Sequence, residues 1–302
     1  DVCSSDLVGA TCADLVGYWL YDVEGGWRWM LGSAAIPCIM ILIGRFDLPE
    51  SPRWLLRKGR VKECEEMMIK LFGEPVAFDD EPPQETRFLQ LFNRRHFPFV
   101  LFVAAIWTCQ VIPMFAIYTF GPQIVGLLGL GVGKSAALGN VVISLFFMLG
   151  CIPPMYWLNS MGRRPLLIGS FMVMTLALAV LGLIPDMGIW LVVAAFAAYA
   201  FFSGGPGNLQ WLYPNELFPT DIRASAVGVI MSLSRIGTIL STWALPIFIT
   251  KYGINYVMLM GAGISLFGLL ISIAFAPETR GLTLTQTSSM TIRRKSLDRK
   301  SV

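Results

Sequence analysis

"LPESPRWLLRKGR" (residues 48–60) follows directly on an apolar run, and "APETRGLTL" (residues 276–284) closes the last apolar run in nearly the same letters. Between the Pro49-Glu50 and Pro277-Glu278 pairs lie one polar interval and six apolar stretches. A motif that returns after six helices marks a chain built from two six-helix halves. The two apolar stretches before the first copy are then the end of one half, and the six before the second copy are the whole of the other.

Composition places these stretches in a membrane. Hydrophobic residues make up 55% of the 302 and charged ones 14%, with mean hydropathy +0.63. Soluble chains run nearer about a quarter charged. A helix rising about 1.5 Å per residue needs roughly 20 apolar residues to cross a ~30 Å hydrocarbon layer. Two stretches precede the polar interval at residues 47–96: a short one at 8–20 and another at 29–46. Six follow it, at 97–125, 136–158, 165–184, 189–213, 224–249 and 254–276. The breaks "GLGVGK", "NSMGRR", "PDMG", "NELFPTDIR" and "KYGIN" carry the glycine, proline and charge signals of helix ends. The expectation is an all-α membrane protein with about eight transmembrane helices.

Orientation follows from Lys and Arg. If the polar interval is cytoplasmic and each span reverses direction, cytoplasmic segments hold 19 of the 23 basic residues. The opposite side holds three, Arg28, Lys134 and Lys251, and Arg235 lies inside a span. Such a bias is the positive-inside signature and puts the C-terminus in the cytoplasm, as expected of a multi-pass protein of a plasma or inner membrane.

The six cysteines, Cys3, Cys12, Cys38, Cys64, Cys109 and Cys151, show no CxxC spacing, and His96 is the single histidine. Neither a disulfide framework, a metal site nor a cofactor is indicated. No Ser-His-Asp or phosphate-loop constellation appears, so the protein reads as no enzyme. Its expected partners are the bilayer and a small solute, with no nucleic acid. The opening "DVCSSDL" is what the DNA string GACGTGTGCTCTTCCGATCT plus one base encodes, which looks like the end of a sequencing-library adapter. Residues 1–7 are therefore set aside from the fold.

Four motifs carry a resemblance: "PESPRWLLRKGR", "NSMGRRP", "WLYPNELFPTDIRASAVG" and "PETRG". Together, in this order and at these depths, they resemble the major facilitator superfamily, in the region of sugar porters and organic ion transporters. The resemblance implies a chain that begins in the family's fifth span and lacks the first four. Residues 8–48 would be the last two helices of the N-terminal bundle, 49–96 a cytoplasmic linker, 97–279 the C-terminal six-helix bundle and 280–302 a basic cytoplasmic tail.

The linker residues have their own logic. Ser51 can cap a helix with Pro52 at its first position and Gly59 at its end. "KECEEMMIKLFG" offers a second, amphipathic helix with Cys64, Met67, Met68, Leu71 and Phe72 as its apolar stripe. The basic tail, "TIRRKSLDRKSV", could touch anionic lipid headgroups.

In the similar transporters, arginines of the GRR loop pair with the acid ending the tenth span. Carried over, Arg163 and Arg164 meet Glu216, with Glu50 and Arg53 serving the first half and Glu278 and Arg280 the second. Bidentate pairs of this kind could latch the two halves; the alternative is a set of solvated positive-inside anchors. One departure is Asn159, where the family usually has Asp.

Substrate sites in such carriers form where helices break. "FFSGGPGNLQW" is expected to interrupt its span around Pro206 and to present Asn208, Gln210 and Trp211. Close packing on small residues is the alternative. The seventh family span, "WTCQVIPMFAIYTFGP", is similar to the sugar-porter pattern through Gln110, Phe120 and Pro122, with Tyr118 nearby. Phe115 stands where sugar porters carry a hydroxyl-binding asparagine, which argues against a hexose.

Arg235 lies eleven residues into its span, roughly 16 Å at helical rise. A charge at that depth costs at least ~2.5 kcal/mol on insertion scales and is by default functional, unless it only pairs with a buried acid such as Asp14. In organic ion transporters the equivalent span carries a cationic residue in anion carriers, in a context like "SRIGT". The reading is a transporter that moves a small organic anion or carboxylate by alternating access. Arg235 would meet the charge, and Trp211, Tyr118 and Phe115 would hold the body. Alternatives are a sugar or organic-cation carrier and a transporter-like nutrient sensor. Coupling to protons, as in a symporter, is left open, because the coupling carboxylate of related carriers often lies in the first four spans.

Overall fold

The computed structural model describes residues 2–46, 50, 55, 60–72, 91–93, 96–127, 133–184, 188–218 and 220–279. They form eleven helices: α1 (Val2–Trp19), α2 (Gly26–Ser33), α3 (Ala35–Arg45), α4 (Val61–Phe72), α5 (Phe97–Leu127), α6 (Lys134–Gly150), α7 (Ile152–Ser160), α8 (Arg163–Leu183), α9 (Ile189–Leu217), α10 (Thr220–Tyr252) and α11 (Ile254–Phe275). Seven described segments are long and apolar enough to cross a bilayer, the first being Gly26–Arg45 and the last Ile254–Phe275. α1, the counterpart of the first expected span and not among these seven, carries Asp6 and Asp14 within its 18 residues. It begins at Val2, so the opening residues have helical backbone rather than forming an irregular lead.

Two compact units arise, Glu24–Thr86 and the remainder, Asp1–Val23 with Arg87–Val302. In the smaller unit, α2 and α3 are the two parts of one span, joined at Ala34. α4 is the amphipathic helix its sequence predicts: Cys64 and Met68 are buried with Leu55, and Met67 packs on them. On its solvent side Arg60 pairs with Glu63 one turn on. The helix expected after Ser51 lies outside the described residues except for Leu55.

In the larger unit, α8 packs along α9 and α11, α10 along α5, and α1 along α6. The core is aromatic and aliphatic throughout, with Phe147, Phe171, Tyr199, Tyr213 and Phe218 fully buried. α6 and α7 are a single span bent at Cys151, because Pro153 and Pro154 supply no N–H to the ladder. The expected break around Pro206 does not occur. α9 runs unbroken through Pro206 and Pro214, and Ser203, Gly204, Gly205, Pro206 and Gly207 are all buried. Membrane helices tolerate such residues where neighbouring helices take up the freed backbone, and here Gly204 lies against the backbone of Gly150.

Candidate functional site

Arg235 stands midway along α10. The packed side of that helix is built from Ile230, Ser234 and Thr238, one turn apart and all buried. Gly237 lies against Thr108 and Ile112 of α5; a Cβ there would crowd both side chains. This close approach brings Arg235, on the edge next to Ser234, beside Phe115 of α5. Its guanidinium carbon sits 5.2 Å from the Phe115 ring centroid, a cation–π arrangement. The residue is exposed, and among the described residues it makes no ion pair.

Asp14 does not answer it. Its carboxylate accepts from Asn140 Nδ2 at 3.1 Å and from the Ser144 hydroxyl, both on α6. Pairing of Arg235 with Asp14, the structural alternative to a functional role, is thus not what the fold makes.

The other substrate candidates fall into three places. Gln110 of α5 is 2% exposed and donates through Nε2 to Ser203 Oγ of α9 at 3.3 Å. Its Oε1, like that of buried Gln210, is sequestered without a partner. Tyr118 stacks on Phe147 at 5.0 Å, and Phe147 meets Tyr199 edge-on. Trp211 is half-buried, edge-on to Trp107 at 5.0 Å, and Asn208 donates to the Cys151 carbonyl at 3.0 Å where α6 bends. The side chains of Phe120, Pro122 and Asn159 lie outside the described residues. One cavity between α5, α8, α10 and α11 and a second between α5 and α11 are lined mainly by apolar residues such as Ile112, Met260 and Ile264 and by none of the substrate candidates.

The charged cluster at the start of α8 is compact. Arg163 Nη2 and Nε donate to Glu216 Oε1 at 2.8 and 3.3 Å, with both side chains 15% exposed. Thr279 donates to the other oxygen of Glu216. Glu278 caps α8, accepting the backbone N–H groups of Arg163 and Arg164 at 3.0 Å each, where helix dipole and carboxylate charge agree. Gly162, at φ +91°, turns the chain there, and a Cβ on it would meet that carboxylate. Arg164 does not reach Glu216: its guanidinium donates to the Ile273 carbonyl at 2.8 Å. Tyr213 ties α9 to the same segment by donating to the Pro277 carbonyl at 3.1 Å. These contacts all lie within the six-helix bundle. Glu50 is exposed; Arg53 and Arg280 are outside the described residues. Thr279, Tyr213, Asn140, Ser144 and Ser203 were not singled out from sequence. Thr279 and Tyr213 sat inside recognised motifs and Ser203 inside the "FFSGGPGNLQW" stretch, whereas Asn140 and Ser144 carried no sequence signal.

A bundle of apolar helices with polar groups between them and a charge cluster at one end is the architecture of a membrane transporter. The family described as "Sugar (and other) transporter" matches residues 7–290, and the chain belongs to it, within the major facilitator superfamily. The "Putative metabolite transport protein YaaU" of Escherichia coli (strain K12) is 91% identical over 286 residues, 95% of this chain and 65% of that protein. The inner membrane metabolite transport protein YgcS of the same organism is 32% identical, covering 92% of this chain and 62% of its own length. The chain therefore spans somewhat under two thirds of these relatives. Among solved structures, the proton:xylose symporter XylE bound to 6-bromo-6-deoxy-D-glucose superposes with a TM-score of 0.76 at 20% identity, over 95% of this chain and 65% of that one. That likeness establishes the fold.

Proposed function

We propose that the full-length protein carries a small organic acid across the inner membrane by alternating access. Arg235 meets the carboxylate and Phe115, Tyr118 and Trp211 hold the body. The observation that carries this reading is the exposed guanidinium in mid-span, lying on an aromatic face, while Asp14, the acid weighed as its partner, is engaged on α6. An unpaired charge at that depth is costly, and an anionic ligand would offset the cost. The Arg163–Glu216–Thr279 cluster, with Glu278 on α8, holds the ends of three helices at one face and serves the gating assigned to it. Glu50, Arg53 and Arg280 belong to the same proposed network. By the positive-inside bias, that face and the C-terminus are cytoplasmic.

A second reading is a sugar carrier. It is favoured by the buried, unpartnered Oε1 atoms of Gln110 and Gln210, which hydroxyl groups of a sugar could satisfy, and by relatives such as a glucose transporter of Staphylococcus epidermidis. Uptake into proteoliposomes of the full-length protein separates the readings. Labelled carboxylates should enter, and Arg235→Gln should cut their uptake tenfold or more while Arg235→Lys keeps part of it. Unchanged carboxylate uptake in Arg235→Gln removes the anion reading. Uptake of sugars with no competition from carboxylates establishes the second, and binding without uptake would mark a sensor.

A further inference from the structure

We propose that the apolar tract between α5, α10 and α11 is a binding site for a phospholipid with an anionic headgroup: one acyl chain lies in the tract and the phosphate meets Lys251. The inference concerns the bilayer alone and does not depend on which solute is carried.

The two cavities adjoin, sharing Ile112 of α5 with Met260 and Ile264 of α11. The inner one, about 80 Å³, reaches from there toward the α10–α11 turn, along Leu245 and Phe248 of α10 and Val257 of α11. The outer one, about 620 Å³, continues toward the other end of α5 and α11, to Leu101 and Phe267. On α11 the tract runs from Val257 to Phe267, which at helical rise is about 15 Å. That is the depth of one leaflet, half of a ~30 Å hydrocarbon layer. Leu101, Met260 and Phe267, on its edge, are exposed, so a chain can enter from the side.

The walls suit hydrocarbon and nothing more polar. Two hydroxyls border the tract, and each is engaged within its own helix. Ser241 donates to the Thr238 carbonyl at 2.9 Å and Thr108 to the Ala104 carbonyl at 2.7 Å. The Cys109 thiol is a weak donor, and the other lining side chains are apolar. A water held inside a protein needs about two to four polar partners, which these walls do not offer. A methylene chain needs only close contact.

The mouth at the α10–α11 turn supplies the charge. Phe248, which lines the inner cavity, stacks on Tyr252 at 5.7 Å, and Tyr252 lies 6.1 Å from Tyr256. Lys251 Nζ sits 5.4 Å from the Tyr252 ring centroid. Lys251, Tyr252 and Tyr256 are all exposed, and among the described residues Lys251 makes no ion pair. Tyrosines at helix ends favour the headgroup level, and a lysine carries its ammonium there on an apolar stem. A cation at headgroup depth, beside an apolar tract one leaflet deep, complements a lipid phosphate and its chain. A zwitterionic headgroup brings a cation of its own, which Lys251 repels, so the anionic lipid is favoured. The seated chain would brace Leu245 and Phe248, on the part of α10 that follows Arg235.

The test uses the full-length protein in liposomes. Phosphatidylglycerol carrying a diazirine in one acyl chain should, on illumination, label peptides of α5 and α11. Unmodified phosphatidylglycerol should compete for that labelling about fivefold better than phosphatidylcholine with the same chains, the preference one lysine confers. Labelling of α3 at exposed Met40 and Ile41 is the control for bulk lipid and should show no headgroup preference. Lys251→Gln should erase the preference on α5 and α11. Gly263→Leu fills the outer cavity from a position where a Cβ meets nothing within 4 Å, and should lower the labelling of both helices severalfold without touching that of α3. Equal competition by the two lipids in the parent, a preference that survives Lys251→Gln, or labelling that Gly263→Leu leaves unchanged overturns the proposal. Labelling of α3 without α5 and α11 overturns it too, and would mean that another part of the full-length protein covers the tract.

Discussion

Gly204 of α9 sits so close to the backbone of Gly150 in α6 that a Cβ on it would overlap the Gly150 carbonyl, and a Cβ on Gly150 would overlap the Phe201 carbonyl in return. Backbone cannot withdraw as a side chain can, so substitution must separate the helices. Gly204→Ala should cost about 1–3 kcal/mol, the usual range for overpacking, and lower the melting temperature of the detergent-purified protein. Gly169→Ala, where a Cβ meets nothing within 4 Å, should leave it unchanged or slightly higher, since alanine is the better helix former. A Gly204→Ala protein that melts like the parent would show that the crossing is loose. The same residues explain why the expected helix break was misread. Gly-Gly-Pro-Gly signals a turn in water, but inside a bilayer it lets two helices touch. Arg235, by contrast, was legible from its depth alone, because a charge amid apolar residues stands out in any window. Phe115 was named for the same site through its place in the seventh family span, and its direct contact with Arg235 came from the way α10 lies on α5.

Adjacent positions on a helix point about 100° apart, so Arg163 and Arg164 cannot both face Glu216. The motif resemblance paired both with that acid, and geometry keeps one: Arg163 takes Glu216, while Arg164 turns to the Ile273 carbonyl. Family spacing carries which residues gather at a helix end; the helical repeat decides which of them meet. Seven of the eight apolar stretches were legible because length and hydropathy suffice to find them, whereas the first, at 8–20, is too short and acidic to pass on those terms. The polar partners Asn140, Ser144 and Ser203 were not legible, since a lone Ser or Asn in an apolar run is ordinary until a neighbouring helix supplies its partner. The Arg163–Glu216 pair, 15% exposed on both sides, allows a prediction. Glu216→Gln, which leaves Arg163 with a neutral partner, should destabilise by about 1–3 kcal/mol, between the values for an exposed and a fully buried pair. Replacing both by apolar residues, Arg163→Met with Glu216→Leu, should recover much of that loss in thermal unfolding while abolishing transport, if the pair works as a gate. Equal stability of Glu216→Gln and the parent would mean that the pair is solvated and contributes little.

At the scale of the whole chain, the bias of 19 basic residues on one side against three on the other should fix which ends of the helices meet the cytoplasm. Met161, 53% exposed, lies at the turn between α7 and α8, and Tyr252, 48% exposed, ends α10. These two turns are separated by three spans, α8, α9 and α10, an odd number, so they must emerge on opposite faces. The pair of arginines beside Met161 and the single Lys251 beside Tyr252 then assign the faces. With every native cysteine replaced by serine, a full-length protein carrying Met161→Cys should react with a membrane-impermeant maleimide only after the cells are opened. Tyr252→Cys should react in intact cells. The reverse pattern would invert the topology, and with it the placing of the Arg163–Glu216–Glu278 cluster at the cytoplasmic gate. Labelling of both from outside would mean that one of the three intervening helices does not cross. The seven apolar segments, each long enough to span, argue against that outcome.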